Sequence, residues 1–114
     1  MSPIMEPLSF LPLTNLAFHI LLALGDGPAH GYAIGKEVER RSEGMLNPAT
    51  GSLYQVLKRL SQNGLIENAS SPDGDARRQS YRLTDLGRSV AEAEARRLNE
   101  LVGVARNKRL FTDR

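Results

Sequence analysis

The residues best suited to chemistry lie at positions 50–62, where polar side chains recur at helical spacing and no acidic residue occurs. At about 100° per residue, Gln55, Lys58 and Gln62 share one helix face, opposite an apolar stripe. Amides, hydroxyls and cations of this kind pair with base edges and phosphates in the major groove of DNA. The alternative is an ordinary amphipathic helix with a solvated polar face. The candidate DNA-binding residues on this helix are Thr50, Gly51, Ser52, Tyr54, Gln55, Lys58 and Arg59.

Two arginines, Arg77 and Arg78, form a second candidate element near the tip of a predicted β-hairpin. Such a hairpin beside a groove-binding helix would bring them to the DNA backbone or the minor groove. Asp73 and Asp75 keep the tip roughly neutral, so the arginines must act by position rather than by net charge.

The rest of the pattern predicts the scaffold that positions these groups. The predicted elements are helices at residues 16–24, 31–42 and 48–62, strands at residues 65–69 and 80–83, and a final helix from Thr84 toward Asn107. Asn47-Pro48 is a typical start for the third helix, and Met45-Leu46 could supply a short first strand. The fold class is therefore mainly α with a small β-hairpin, a winged helix-turn-helix with a long C-terminal helix.

Composition indicates one ordinary globular domain of 114 residues, 40% hydrophobic and 25% charged, with a net charge of +2. The charge is segregated, because residues 1–30 contain no Lys or Arg and residues 106–114 are mainly basic. This layout suits a polyanionic partner, and a solvated surface with a slight basic excess is the alternative. The longest apolar run, residues 20–24, is too short to span a membrane, and no secretory signal is evident. We expect a soluble, cytoplasmic protein without a membrane partner.

Candidate residues for catalysis or metal binding are few. The chain has no cysteine and only two histidines, His19 and His30, which we expect to be structural. Ser52, His30 and Asp26 could be named as a triad, but no strained nucleophile turn or Gly-rich phosphate loop supports them. We therefore predict that the protein is not an enzyme and has no catalytic residues, no metal and no cofactor.

Three segments, in order and correctly spaced, carry a family resemblance. They are "FHILLALGDGPAHGYAIGKEV" at residues 18–38, "GSLYQVLKRLSQNGLIE" at residues 51–67 and "RRQSYRLTDLGR" at residues 77–88. Together they resemble the opening, the recognition helix and the wing of the PadR family of transcriptional regulators. One departure is Ala49-Thr50, where the family often has a Ser-Pro pair before its glycine.

The resemblance implies a dimeric winged-helix repressor of bacterial type, a short-tailed member without a separate ligand-binding domain. In that family the tyrosine of the Leu-Tyr pair and nearby hydroxyls face the DNA backbone, and these positions are Tyr54 and Ser52 here. The basic residues of the family's wing correspond to Arg77 and Arg78.

We divide the chain into a flexible N-terminal arm (residues 1–12), the winged helix-turn-helix domain (residues 13–83) and a dimerisation helix with a basic tail (residues 84–114). The last helix carries a coiled-coil-like apolar stripe, and the first helix is apolar almost all round. We expect both to meet their counterparts in a two-fold dimer, and the alternative is a last helix folded back on its own domain. The expected interface residues are Leu16, Ile20, Leu86, Val90, Leu98 and Leu101.

The predicted function is a sequence-specific DNA-binding regulator that acts as a homodimer on a pseudo-palindromic operator, with the repressor role implied by the resemblance. The alternative is a winged-helix module that binds protein instead of double-stranded DNA. A small apolar effector could bind at the dimer interface near Phe18, Leu98 and Leu101. Regulation through protein level alone, with no effector, is an equal alternative.

Overall fold

The computed structural model describes residues 6–48, 50–70, 74 and 79–111. The helices are a short 3-10 turn at Pro7–Phe10, α1 (Asn15–Ala23), α2 (Gly31–Arg41), α3 (Thr50–Gln62) and α4 (Asp85–Asn107). The strands are β1 (Ala29–His30), β2 (Ile66–Ala69) and β3 (Ser80–Leu83). Three helices, a hairpin and a long last helix form the winged helix architecture that the sequence predicts.

The core is built around α1, which contacts α2, α3 and α4. Thr14 caps this helix, because its Oγ1 accepts a hydrogen bond from the Ala17 N–H at 3.1 Å. Ile20 of α1 and Val90 of α4 are 0% exposed within their own chain. The expectation that these two residues contact a second subunit is therefore wrong, since packing around α1 already covers them completely.

The small sheet has the order β1-β3-β2, with both pairs antiparallel. The prediction that Met45-Leu46 supplies the first strand is wrong, since β1 is Ala29–His30. After α2 the backbone turns through positive φ angles at Glu43 (54°) and Gly44 (81°). The Leu46 N–H then bonds the Ser42 Oγ at 2.9 Å, so this segment folds back on α2 instead of extending.

Helix α3 begins at Thr50, so the expected start at Asn47-Pro48 is wrong. The segment at residues 46–48 has no regular structure, because Leu46 is held in the turn after α2. The helix ends at Gln62 as predicted. There Gly64 adopts φ 78°, and the Leu65 N–H bonds the Leu60 carbonyl at 2.9 Å, which is a Schellman cap.

Helix α4 is capped by Thr84, whose Oγ1 accepts the Gly87 N–H at 3.0 Å and donates to the Gly64 carbonyl at 2.6 Å. The 3-10 turn Pro7–Phe10 packs against α4, so this part of the expected loose arm has regular structure. Residues 1–5 of that arm lie outside the described residues. Within the described residues, no helix is both long and apolar enough to cross a membrane.

Candidate nucleic-acid interface

The polar face of α3 lies open to solvent. Leu53, Leu57 and Leu60 are buried on the opposite side and anchor the helix in the core. The exposed residues of this face include Gly51, Ser52, Tyr54, Gln55, Lys58 and Arg59. Thr50 is the first residue of the helix, and its side chain lies outside what the structure describes. Six of the seven candidate positions on α3 thus share one accessible surface without a carboxylate, which we call the α3 face.

Tyr54 lies where α2, α3 and the hairpin meet. Its ring packs against Gly31 at the start of α2 so closely that a Cβ at Gly31 would overlap the phenol. The side chain is nevertheless 39% exposed. The hydroxyl oxygen is the atom nearest to that position, so the missing side chain of Gly31 makes room for the hydroxyl end of Tyr54 at the start of α2.

A crevice of about 340 Å³ separates α3 from the hairpin. Its lining consists of Tyr54, Lys58, Ser61, Asn68, Gln79 and Tyr81. Burial, together with the nearby Tyr54, raises the pKa of Tyr81, so this hydroxyl stays neutral at ordinary pH. The Gln79 Nε2 donates to the Asn68 Oδ1 at 3.0 Å and ties the two strands together. Among the described residues that line this crevice, Lys58 is the single cation, and the others are neutral hydrogen-bonding groups.

Arg59 lies on the other side of the α3 face. It borders a groove of about 440 Å³ between α3, α1 and the N-terminal segment, whose other lining residues include Leu13, Ala17 and Val56. Lys58 and Arg59, although adjacent in sequence, are therefore placed to reach different parts of a partner.

The hairpin carries one described cross-strand ion pair, between the Arg82 Nε and the Glu67 Oε2 at 2.8 Å. Arg77 and Arg78, the predicted wing contacts, lie outside the described residues, as do Asp73 and Asp75. Their contribution stays a prediction.

The two histidines take structural positions. His30 ends β1 at the start of α2, and its Nδ1 lies 2.9 Å from the buried Ser80 Oγ of β3. His19 lies in α1, and its Nδ1 is buried without a hydrogen-bond partner among the described residues.

Sequence reasoning missed two residues of α2 that open toward the α3 face, Tyr32 and Lys36. They line a cleft of about 220 Å³ that also includes Asn47, Pro48 and Tyr54. The signal that could have found them is an aromatic residue and a cation at i and i+4 on the helix before α3.

The comparison with known families decides the identity of this fold. The sequence model of the transcriptional regulator PadR-like family matches residues 20–93, which is more than half of the chain. The chain belongs to the PadR family. Members of this family are transcriptional regulators and not enzymes, so this chain is a PadR-family transcriptional regulator with a winged helix fold.

Individual relatives agree with the PadR assignment. The chain is 36% identical over 84 residues to transcriptional regulator Rv3488 of Mycobacterium tuberculosis, covering 73% of this chain and 75% of that protein. It is 39% identical over 84 residues to an uncharacterized 37.1 kDa protein in transposon TN4556 of Streptomyces fradiae. That match covers 74% of this chain but only 23% of the transposon protein.

A solved PadR structure provides a further comparison. The crystal structure of Bacillus subtilis PadR in complex with operator DNA is similar to this chain with a TM-score of 0.61 and 25% identity. The similarity covers 72% of this chain and 46% of the Bacillus protein.

Proposed function

We propose that this PadR-family protein is a cytoplasmic repressor that binds a pseudo-palindromic DNA operator as a homodimer. The observation that carries the proposal is the α3 face, an exposed helix surface with amide, hydroxyl and cationic groups and no carboxylate. A helix with these groups fits the major groove and can pair with both base edges and phosphates. The similarity to Bacillus subtilis PadR, which was solved with operator DNA, supports the same partner.

Each residue of the α3 face has a proposed role. Gln55 lies at the centre, and its amide can pair with adenine at two atoms, so it reads a base edge. Tyr54 and Ser52 position the DNA backbone, and Gly51 allows the helix start to approach it closely. Phosphates are neutralised by four cations, Lys58, Arg59, Arg77 and Arg78. Thr50, the first residue of α3, is a further proposed DNA contact.

A quadruple alanine variant at Lys58, Arg59, Arg77 and Arg78 tests the DNA face. We expect the dependence of log affinity on log salt concentration to weaken by about 0.9 for each phosphate contact removed. The measurement is a mobility shift with the promoter region of the protein's own gene, repeated across salt concentrations.

A double alanine variant at Arg96 in α4 and Lys108 at its C-terminal end, two exposed cations outside the α3 face, controls for a general loss of charge. An unchanged salt dependence in a folded quadruple variant would show that the assigned DNA face is wrong. A wild-type protein that binds no duplex DNA at any salt concentration would favour the protein-binding module instead.

We place the interface of the proposed homodimer at the exposed apolar surface of the C-terminal half of α4. Leu101 is 53% exposed, and Val102 and Val104 are also exposed within the single chain. A stripe of this kind, on a helix of about 35 Å, is stabilised when the same stripe of a second subunit covers it. Leu16, Leu86 and Leu98, each partly buried, are the remaining proposed contacts.

Replacing Leu101 with aspartate should shift the dimer toward monomer, because an unpaired charge would enter an apolar contact. Light scattering at micromolar concentration should give about twice the 12.5 kDa chain mass for the wild type and a lower value for the variant. Asn99→Asp adds the same charge at an exposed position of the same helix and should leave the dimer intact. A wild type that stays monomeric at every concentration would contradict the dimer.

Any small apolar effector is proposed to bind at this interface, where Phe18, Leu98 and Leu101 are the expected lining. The two α3 helices of a dimer must lie about one DNA turn apart, roughly 34–36 Å, to read both half-sites. A ligand that prefers another separation would release the DNA by shifting the population of dimers. Control by protein level alone remains the alternative.

A further inference from the structure

We propose that Tyr32 and Lys36 of α2 form a clamp for one phosphate of the DNA backbone, beside the N-terminal half of α3. We call this pair the α2 clamp. The inference rests on the proposed DNA-binding function and adds to it a contact outside the α3 face and the wing. It assigns the backbone, and not the bases, as the partner of α2.

The geometry of the pair is the first argument. Tyr32 and Lys36 lie four residues apart on α2, and the Lys36 Nζ is held 5.5 Å from the centre of the Tyr32 ring. Tyr32 is 65% exposed, which is a high value for a tyrosine, since tyrosines are usually at least partly buried. The Tyr32 hydroxyl and the Lys36 ammonium, on successive turns of the same exposed helix surface, give the proposed clamp two donors for one anion.

The charge distribution on α2 is the second argument. Glu37 is paired with Arg41 at 3.0 Å and with Arg40 at 3.8 Å, so the two arginines share one carboxylate and the three charges sum to +1. Among the described residues, no carboxylate forms an ion pair with Lys36. Lys36 is therefore the cation of α2 that has no carboxylate partner among the described residues.

The position of the α2 clamp relative to the α3 face is the third argument. The cleft that Tyr32 and Lys36 line also contains Tyr54, which belongs to the α3 face. In helix-turn-helix proteins the helix before the recognition helix crosses the DNA backbone. A DNA strand that passes Tyr54 therefore comes within reach of Tyr32 and Lys36.

Glu39 sets where the phosphate can lie in this cleft. It lines the same cleft and follows Lys36 by three residues on α2. Its carboxylate repels an anion from its own end of the cleft, so the phosphate is favoured at the end where Tyr32 is exposed.

The test is Lys36→Ala in the full chain, measured against operator-containing and random duplex DNA from 50 to 200 mM salt. Removing a phosphate contact should weaken binding to both DNAs by the same factor. Each phosphate contact contributes about 0.9 to the exponent that relates affinity to salt concentration. For each phosphate that the variant no longer binds, the ratio of wild-type to variant affinity should therefore fall about 3.5-fold between 50 and 200 mM salt. Lys108→Ala, which removes the same side chain beyond the end of α4, should change neither quantity.

Two variants of Tyr32 separate the clamp from a simple charge effect. Tyr32→Phe keeps the ring beneath Lys36 and should lose less affinity than Tyr32→Leu, which removes it. Both positions of the clamp are exposed, so the melting temperatures should match the wild type and exclude a folding defect.

The outcomes distinguish the clamp from the function it rests on. A wild type that binds DNA normally, together with a Lys36→Ala variant of unchanged affinity and salt dependence, would overturn the clamp and leave the proposed function intact. Weaker binding to operator DNA alone would overturn the phosphate assignment, because it would show base recognition. A wild type that binds no DNA would overturn both.

Discussion

Replacing Gly87 with alanine should destabilise the fold by at least about 3 kcal/mol, the upper part of the range for overpacking. A Cβ at this position would overlap the backbone carbonyl oxygen of Leu65. A backbone atom cannot rotate away as a flexible side chain can, so α4 would have to move off the segment that joins α3 to β2. The loss is a large share of the 5–15 kcal/mol that typically separates folded from unfolded states.

Gly103 provides the matched control, because it is a glycine of the same helix with nothing near its missing Cβ. Gly103→Ala should stabilise the protein by up to about 1 kcal/mol through better helix propensity. The measurement is urea unfolding of both variants and the wild type at a single protein concentration, since dimerisation would couple stability to concentration. Equal effects of the two substitutions would contradict the close approach of α4 to Leu65.

Replacing Arg97 with alanine should have the second-largest destabilising effect on the fold. Its partner Glu94 is 1% exposed and accepts hydrogen bonds from the Leu13 N–H at 2.8 Å and from the Arg97 Nη2 at 3.1 Å. Removing Arg97 would leave the buried Glu94 carboxylate without its charged partner, and the partial exposure of Arg97 limits the loss. The adjacent Arg96 is fully accessible, so Arg96→Ala should change stability by less than about 0.5 kcal/mol.

The same pair predicts a dependence of stability on pH. The hydrogen bond from Arg97 lowers the pKa of Glu94 below its ordinary value of 4.5, against the opposing effect of burial and with help from the Leu13 N–H. A carboxyl with a lower pKa in the folded state stabilises the fold above its unfolded pKa and loses that contribution as the pH falls through the folded value. The stability difference between wild type and Glu94→Gln should therefore shrink below about pH 4.5. A difference that stays constant from neutral pH to pH 3 would show that folding does not change the pKa of Glu94.

Local patterns predicted most of the helices and the hairpin. The apolar spacing on α3, the Asn63-Gly64 stop and the Thr84 cap are all encoded within a few residues of where they act. Strand β1 could not be predicted this way, because two residues carry no periodicity and are defined only by their pairing with β3. The burial of Glu94 could not be predicted from sequence either, because the residues beside it are typical of a solvated helix. Its hydrogen-bond partner Leu13 is far away in the chain.

The candidate site shows the same division between local and tertiary information. The α3 face follows from helical spacing alone, because opposite sides of one helix separate its apolar and polar residues. The spacing of Tyr32 and Lys36 is a local pattern, but their position beside Tyr54 depends on how α2 lies against α3, which no local pattern contains. Ile20 and Val90 were wrongly predicted to lie at the dimer interface for a related reason. An apolar stripe does not indicate whether the same chain or a second subunit covers it.

The direct junction of β1 and α2 has a mechanical consequence. β1 ends at His30 and α2 begins at Gly31, so no loop separates the sheet from the helix pair. Because β1 is bonded to β3 and Gly31 lies against Tyr54 of α3, the hairpin, α2 and α3 are joined at one point. In the proposed dimer the angle between wing and recognition helix is therefore fixed within each subunit. Adaptation to a different half-site spacing has to come from rotation of whole subunits about their two-fold axis.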